Sequence, residues 1–492
     1  MDYLPYQARG KDVSPPKLRP LERLLAQPAF ETIPITLVPH CQAAPLGVLV
    51  RGQMEWLLAD EDVLEQLFQK HAPEQYTREL TIAALVGLVT QVSAGLRRSV
   101  HAAYKSDQAD AQPTISTTYQ ALYGKLGRIN PEASASLVRF SAQRLQPLLE
   151  LMPPAVEGIP GYCLRVLDGN VLTGTDHRLK PLRQWLNACL PGKSLVVYEP
   201  ATGLVTDLVL CEDAYRQERA LLVEILPRVQ PNDLLVVDRN FTTTKFVFGV
   251  AAKRGFFVAR QHGRSLPCTA VSRLKKCGET ETGVVYEQLV RVSNPETGEQ
   301  LFLRRIELRL FATTRDGERV LAVLTNLPDQ VPAVKIAEIY RGRWTIETHF
   351  QFLTQSLHCE VKGLGKPRAA LFMFAMALVA SNALAVVRGT LRQAQGKEAE
   401  AEVSGYYLAD EVAASFRALA MYAAAEDWTG WRTLRPRDCV RLLTAIARQV
   451  NLAALTRSRR GPKKPPKVKP VYNKKHKHYS TARLLKDAED TC

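Results

Sequence analysis

Apolar residues recur at helical spacing through LTIAALVGLVTQVSAGL (80–96) and ASASLVRFSAQRLQPLLELM (133–152), so the first part of the chain is predicted to be helical. The polar, threonine-rich stretch SDQADAQPTISTTYQ separates the two, and Pro153-Pro154 with GIPG (158–161) marks a boundary. Beyond it the period shortens. YCLRVLDG, SLVVYEP and LVTDLVLC read as strands, RQERALLVEIL as a helix, and DLLVVD (233–238) as a buried strand ended by an acid. A helix (TTTKFVFGVAAKRG) and a strand (FFVAR) complete a β-β-β-α-β-α-β order, which predicts an α/β sheet domain. Strand-like GVVYEQLVRVS, QLFLRRIELRLFATT and RVLAVLTNL follow as a β insertion, and helix is expected to resume over 335–358. The expected divisions are a helical region at 1–155, a sheet core at 160–261, the insertion at 262–330, further core and helices at 331–456, and a tail at 457–492.

Residues 369–387 (AALFMFAMALVASNALAVV) approach the length of a bilayer span, but the run is alanine-rich, carries Ser381 and Asn382 and stands alone, which predicts a core helix and no membrane. The start, MDYLPYQARGKD, has no charged region followed by an apolar core, so a cytoplasmic chain is expected. Nine scattered cysteines, never spaced C-x-x-C, point to reduced thiols and against a zinc site.

Charge narrows the choice of partner. The 65 lysines and arginines exceed the 49 acids by 16, an excess that suits a polyanion, nucleic acid ahead of a membrane surface. Ten of these cations lie between Arg457 and Lys477, with four prolines and no acid. Such a tail, which includes Arg457, Arg459, Arg460, Lys463 and Lys464, cannot build a core and is expected to meet an anion.

Asp168 and Asp238 each end an apolar strand, where an open α/β sheet collects its ligands. Two adjacent aspartates repel unless a cation lies between them, so they are candidate Mg²⁺ ligands; taken singly, an acid after a strand more often just starts a turn. On a continuous helix at 100° per residue, Ile339, Ile346, Phe350, Leu353 and Leu357 form one stripe, and Tyr340, Arg343, Glu347 and Thr354 lie about a quarter-turn away. Glu347 would then reach the strand ends, with Arg343 one turn before it as a fork for phosphate oxygens; the bland alternative is a surface i, i+4 ion pair. His262, His349 and Trp344 read as packing or solvent residues ahead of any ligand or base-stacking role.

At these residues the sequence resembles the DDE transposases of bacterial insertion sequences, of the insertion-sequence family 4 type. LRVLDG is similar to the motif of the first catalytic aspartate, LLVVDRNF to that of the second, and YRGRWTIETHF to the Y-x-x-R-x-x-x-E signature. The likeness runs from about Cys163 to Leu357, with TNLP (325–328) and the β insertion in their usual places. It implies an RNase H-like mixed sheet core with an inserted β subdomain and helical regions on either side. It further implies phosphoryl transfer on DNA, with Asp168, Asp238 and Glu347 holding two Mg²⁺ ions, for which Mn²⁺ can substitute. Family members cut both strands at the element's terminal inverted repeats, often through a hairpin, and join the ends to target DNA as homodimers on paired ends. The resemblance thus implies a nucleoid-associated enzyme with Tyr340 and Arg343 as DNA contacts; the basic tail, from its charge, and Lys362, two turns beyond Thr354 on a continuous helix, are further candidate DNA contacts. The family's lysine seven residues after the glutamate is Thr354 here. Two other readings keep the fold: a catalytically silent DNA-binding protein or transposition inhibitor, and a nuclease that cuts without joining.

Overall fold

Residues 20–58, 61–71, 80–110, 113–183, 188–261, 266–314, 317–422 and 425–457 are described by the computed structural model. The first apolar runs of the sheet region become β1 (Cys163–Val171), β2 (Lys193–Glu199), β3 (Leu204–Cys211), β4 (Asp233–Val237) and β5 (Phe256–Arg260). All five residues of β4 are buried. Leu234 and Val236 join one core, while Leu235 and Val237 join a second. A continuous apolar strand is stable only where both faces are covered, and here they are.

β1 lies between antiparallel β2 and parallel β4; β3 pairs antiparallel with β2, and β5 runs parallel to β4. The inserted strands β6 (Thr269–Ala270), β7 (Lys275–Thr280), β8 (Gly283–Ser293), β9 (Gln300–Leu310) and β10 (Val320–Thr325) extend the same sheet. The order is β3-β2-β1-β4-β5-β10-β9-β8-β6, with β7 on β8, and β10 runs antiparallel to β5. The insertion is therefore hydrogen-bonded into the core sheet rather than standing apart from it. Asn326 of TNLP fixes this join, donating to Gly255 O and accepting from the Phe257 amide, both at 2.9 Å.

The helix Pro367–Gln395 is long and apolar enough to cross a membrane, yet 94% of its most apolar window is buried against neighbouring elements. The helix Pro131–Leu149 packs on it and on β3. Asn382 in its middle accepts from the Val205 amide at 2.7 Å and donates to Val205 O and Ser141 Oγ, so a buried polar side chain grips edge strand β3. The N-terminal helices, one sheet face and the C-terminal helices thus share one core, and the described residues up to Thr456 form a single compact unit. Of the basic tail, Arg457 alone is described; Arg459, Arg460, Lys463 and Lys464 lie outside the described residues, as does His262.

Two expected helices differ. The stretch RQERALLVEIL breaks into a 3-10 turn, one short helical turn (Leu222–Ile225) and another 3-10 turn carrying Pro227, whose ring cannot continue a helix. The expected helix at 335–358 is two helices, Ala333–Arg341 and Thr345–Ser356, joined by a 3-10 turn at Gly342–Trp344.

Candidate active site

Parallel pairing puts Leu167 opposite Val237, so the next residues, Asp168 and Asp238, come side by side; Asp238 follows the end of β4, whereas Asp168, expected to end its strand, lies inside β1, which runs on to Val171 opposite β2. Each follows a residue of the second core, and strand alternation turns both carboxylates to the opposite face. The Thr345–Ser356 helix packs against β1. It anchors through fully buried Ile346 and Leu353, leaving Glu347 on its outer side with a side chain 51% exposed.

Arg343 ties the acids together. Its Nη1 donates to Asp168 Oδ2 at 2.7 Å and its Nη2 to Glu347 Oε1 at 2.9 Å, with the side chain only 7% exposed. Its buried Nε has no hydrogen-bond partner among the described residues. Burial pushes the Asp168 carboxyl up to about 6, against the opposing pull of Arg343 and the Gly169 amide; Asp238 and Glu347 add to the rise. The Arg343 guanidinium is thus the direct counter-charge of the Asp168 carboxyl group. Tyr340 is also buried, and desolvation followed by the nearby Asp238 pushes its hydroxyl up to about 12.

These positions correct the helical-wheel expectation. Tyr340 and Arg343 were expected at the core edge, open to phosphate; both lie buried, Tyr340 on the inner face of the Ala333–Arg341 helix and Arg343 drawn in by its bonds to Asp168 and Glu347. Lys362, expected two turns beyond Thr354, lies past the helix end at Ser356. The Thr354 hydroxyl is used within its own helix, donating to Phe350 O at 3.0 Å. His349 stacks on Tyr198 and sits 3.3 Å from Ser381 Oγ, a packing role. The Trp344 side chain lies outside what is described.

One acid went unread in the sequence. Asn240 Nδ2, two residues past Asp238, donates to Glu218 Oε2 at 3.2 Å. The same carboxyl group fills the space a side chain would take at Gly169, where a Cβ would lie 2.4 Å from Glu218 Cδ. One carboxylate therefore lies beside the residues that follow both aspartates. The only sequence sign of it is the small residue after Asp168.

The donor set of Asp168, Asp238 and Glu347 is all carboxylate, the chemistry of a hard divalent cation. As the side chains stand, no group of three or more such residues converges on one point among the described residues. The guanidinium instead supplies positive charge between Asp168 and Glu347. The donor chemistry fits a hard metal ion, and Arg343 holds part of the space it would need.

No curated protein matches the chain. A cryo-EM structure of the piggyBac transposase synaptic complex with hairpin DNA is similar at 12% sequence identity, over 78% of this chain and 84% of that chain, with a TM-score of 0.36. Residues 160–383, which contain Asp168, Asp238, Arg343 and Glu347, match the transposase DDE domain family, and that match supports reading the chain as a DDE transposase.

Proposed function

We propose that the chain is a cut-and-paste DNA transposase of the insertion-sequence family 4 type, cleaving the ends of its element and joining them to target DNA. The observation that carries this reading is the meeting of Asp168, Arg343 and Glu347 within the segment similar to transposase DDE domains. The strand order β3-β2-β1-β4-β5, with β2 antiparallel between β1 and β3, supports an RNase H-like core.

Asp168, Asp238 and Glu347 would hold Mg²⁺, or Mn²⁺ in its place. When bound, the metal would activate water or a 3′-hydroxyl and stabilise the leaving oxygen. The chain's own part is positional. β1 and β4 hold the two aspartates in register, Glu218 lies beside the residues that follow them, and the buried helix anchors Ile346 and Leu353 fix the glutamate. Arg343 holds the Asp168 carboxyl group in place before DNA arrives. The basic tail supplies sequence-independent attraction to phosphate, and the enzyme works as a homodimer on paired ends in the bacterial nucleoid.

The test is an excision assay. The coding region with its flanking DNA is placed on a plasmid and the chain is supplied separately with Mg²⁺. Excision at matched inverted repeats followed by insertion elsewhere is expected. Binding without cleavage would favour the silent DNA-binding reading, and cleavage without joining a nuclease.

A further inference from the structure

We propose that the loops leaving β1 and the Glu347 helix, together with the end of the Tyr119–Leu126 helix, form a cationic cradle for the phosphate backbone of duplex DNA beside the cut. This inference rests on the transposase reading and adds to it a surface, separate from the basic tail, that holds the DNA.

Three segments meet there. The loop after β1 carries Arg178 and Lys180, the loop after the Thr345–Ser356 helix carries Lys362 and Lys366, and Arg128 and Arg368 flank them. Their proximity is fixed by direct contacts. The Asp176 amide donates to Lys362 O at 2.9 Å, and Arg368 Nη1 reaches Arg128 O at 3.5 Å. Glycines permit the approach: a Cβ at Gly363 would lie 3.4 Å from the Arg178 guanidinium carbon, and one at Gly127 would lie 2.3 Å from Lys366 Cδ.

The acids among these cations are already engaged. Glu360 accepts from the Thr173 amide at 3.1 Å and from its hydroxyl at 2.5 Å, which ties the two loops together and spends its oxygens on neutral donors. Asp176 pairs with Arg178, and Glu212 with Arg368. Among the described residues no carboxylate pairs with Lys180, Lys362 or Lys366, and all three are exposed. Six cations against three engaged acids, held on a fixed frame, suit a polyanion whose charges repeat in space, and little ordering entropy is lost on binding. Thr173 lies five residues beyond Asp168, so the cradle starts where the catalytic strand ends.

The experiment measures binding of the full chain to a random-sequence duplex by fluorescence anisotropy across a salt series, without metal. The triple variant K180E/K362E/K366E is expected to lower the slope of log K against log salt by two to three units, at roughly 0.9 per contact, and to raise Kd more than tenfold at roughly 0.1 M salt. Its thermal midpoint should not move, since all three side chains are exposed. The variant K245E/K253E, on the exposed side of the Thr244–Ala252 helix, controls for net charge alone and should keep the wild-type slope. An unchanged slope in the triple variant, or an equal fall per lysine in the control, would overturn the cradle while leaving the transposase reading intact. Absence of duplex binding by the wild-type chain would overturn both.

Discussion

Arg343 is the residue on which the site's electrostatics turn. Its guanidinium is buried between Asp168 and Glu347, so removing it strands a buried carboxylate without a counter-charge. Arg343→Gln should cost about 3 kcal/mol in denaturant unfolding, and Asp168→Asn in the same chain should recover part of the loss, because breaking a buried pair costs more than replacing both partners. Gly169 poses a smaller question. A methyl there meets the movable end of Glu218, so Gly169→Ala should displace that carboxylate and cost about 1 kcal/mol, the worth of its bond to Asn240. In a Glu218→Ala background the same change should cost nearly nothing, and an additive double mutant would contradict the contact. His349 gives the pH dependence. Burial lowers its pKa from 6.5 to about 4, so the folded state keeps it neutral while the unfolded chain takes up a proton. Its contribution is complete above 6.5 and is lost as pH falls toward 4, by at most about 3 kcal/mol. His349→Gln should flatten the fall in stability over that window, as measured by urea unfolding at a series of pH values.

Elements differ in how far their sequence announces them. The continuous apolar run of β4 could be read directly, because a strand buried on both faces has no polar side to confuse the pattern; β1, buried only at Val166 and Leu167, was read from its shorter apolar stretch. Asp238, which follows β4, was legible for the same reason, whereas Asp168 lies inside β1 rather than at its end. The helix break at Gly342–Trp344 was not, since one glycine in a helical pattern is a weak signal, and Tyr340 and Arg343 lie in the interior rather than at the expected rim. The Arg343 bond to Asp168 spans 175 residues, and no local pattern encodes it. Glu218 stayed hidden likewise, because its role arises from a 3-10 turn folded beside Gly169 and Asn240. Asn382, by contrast, stood out as polar within an apolar run. Two of its three bonds hold edge strand β3 to the central helix and the third reaches Ser141 on the Pro131–Leu149 helix, so Asn382→Ala should cost about 2–3 kcal/mol by leaving the Val205 backbone groups unpaired. A variant within experimental error of wild type in chemical denaturation would show that β3 needs no such tie.

Across the whole molecule, a single sheet with two cores brings together acids from three distant parts of the chain, and loops leaving the same elements gather cations beside them. Under the proposed function, this arrangement of acids beside cations suits a polyanionic substrate. The central claim is that Asp168, Asp238 and Glu347 act as one metal-holding set. Its most direct test is the nicking of an element-end duplex by purified Asp168→Asn, Asp238→Asn and Glu347→Gln chains in Mg²⁺, with duplex affinity measured in parallel. All three should bind DNA at close to wild-type affinity and none should nick it; Mg²⁺-dependent nicking by any one would contradict the claim and remove that residue from the set.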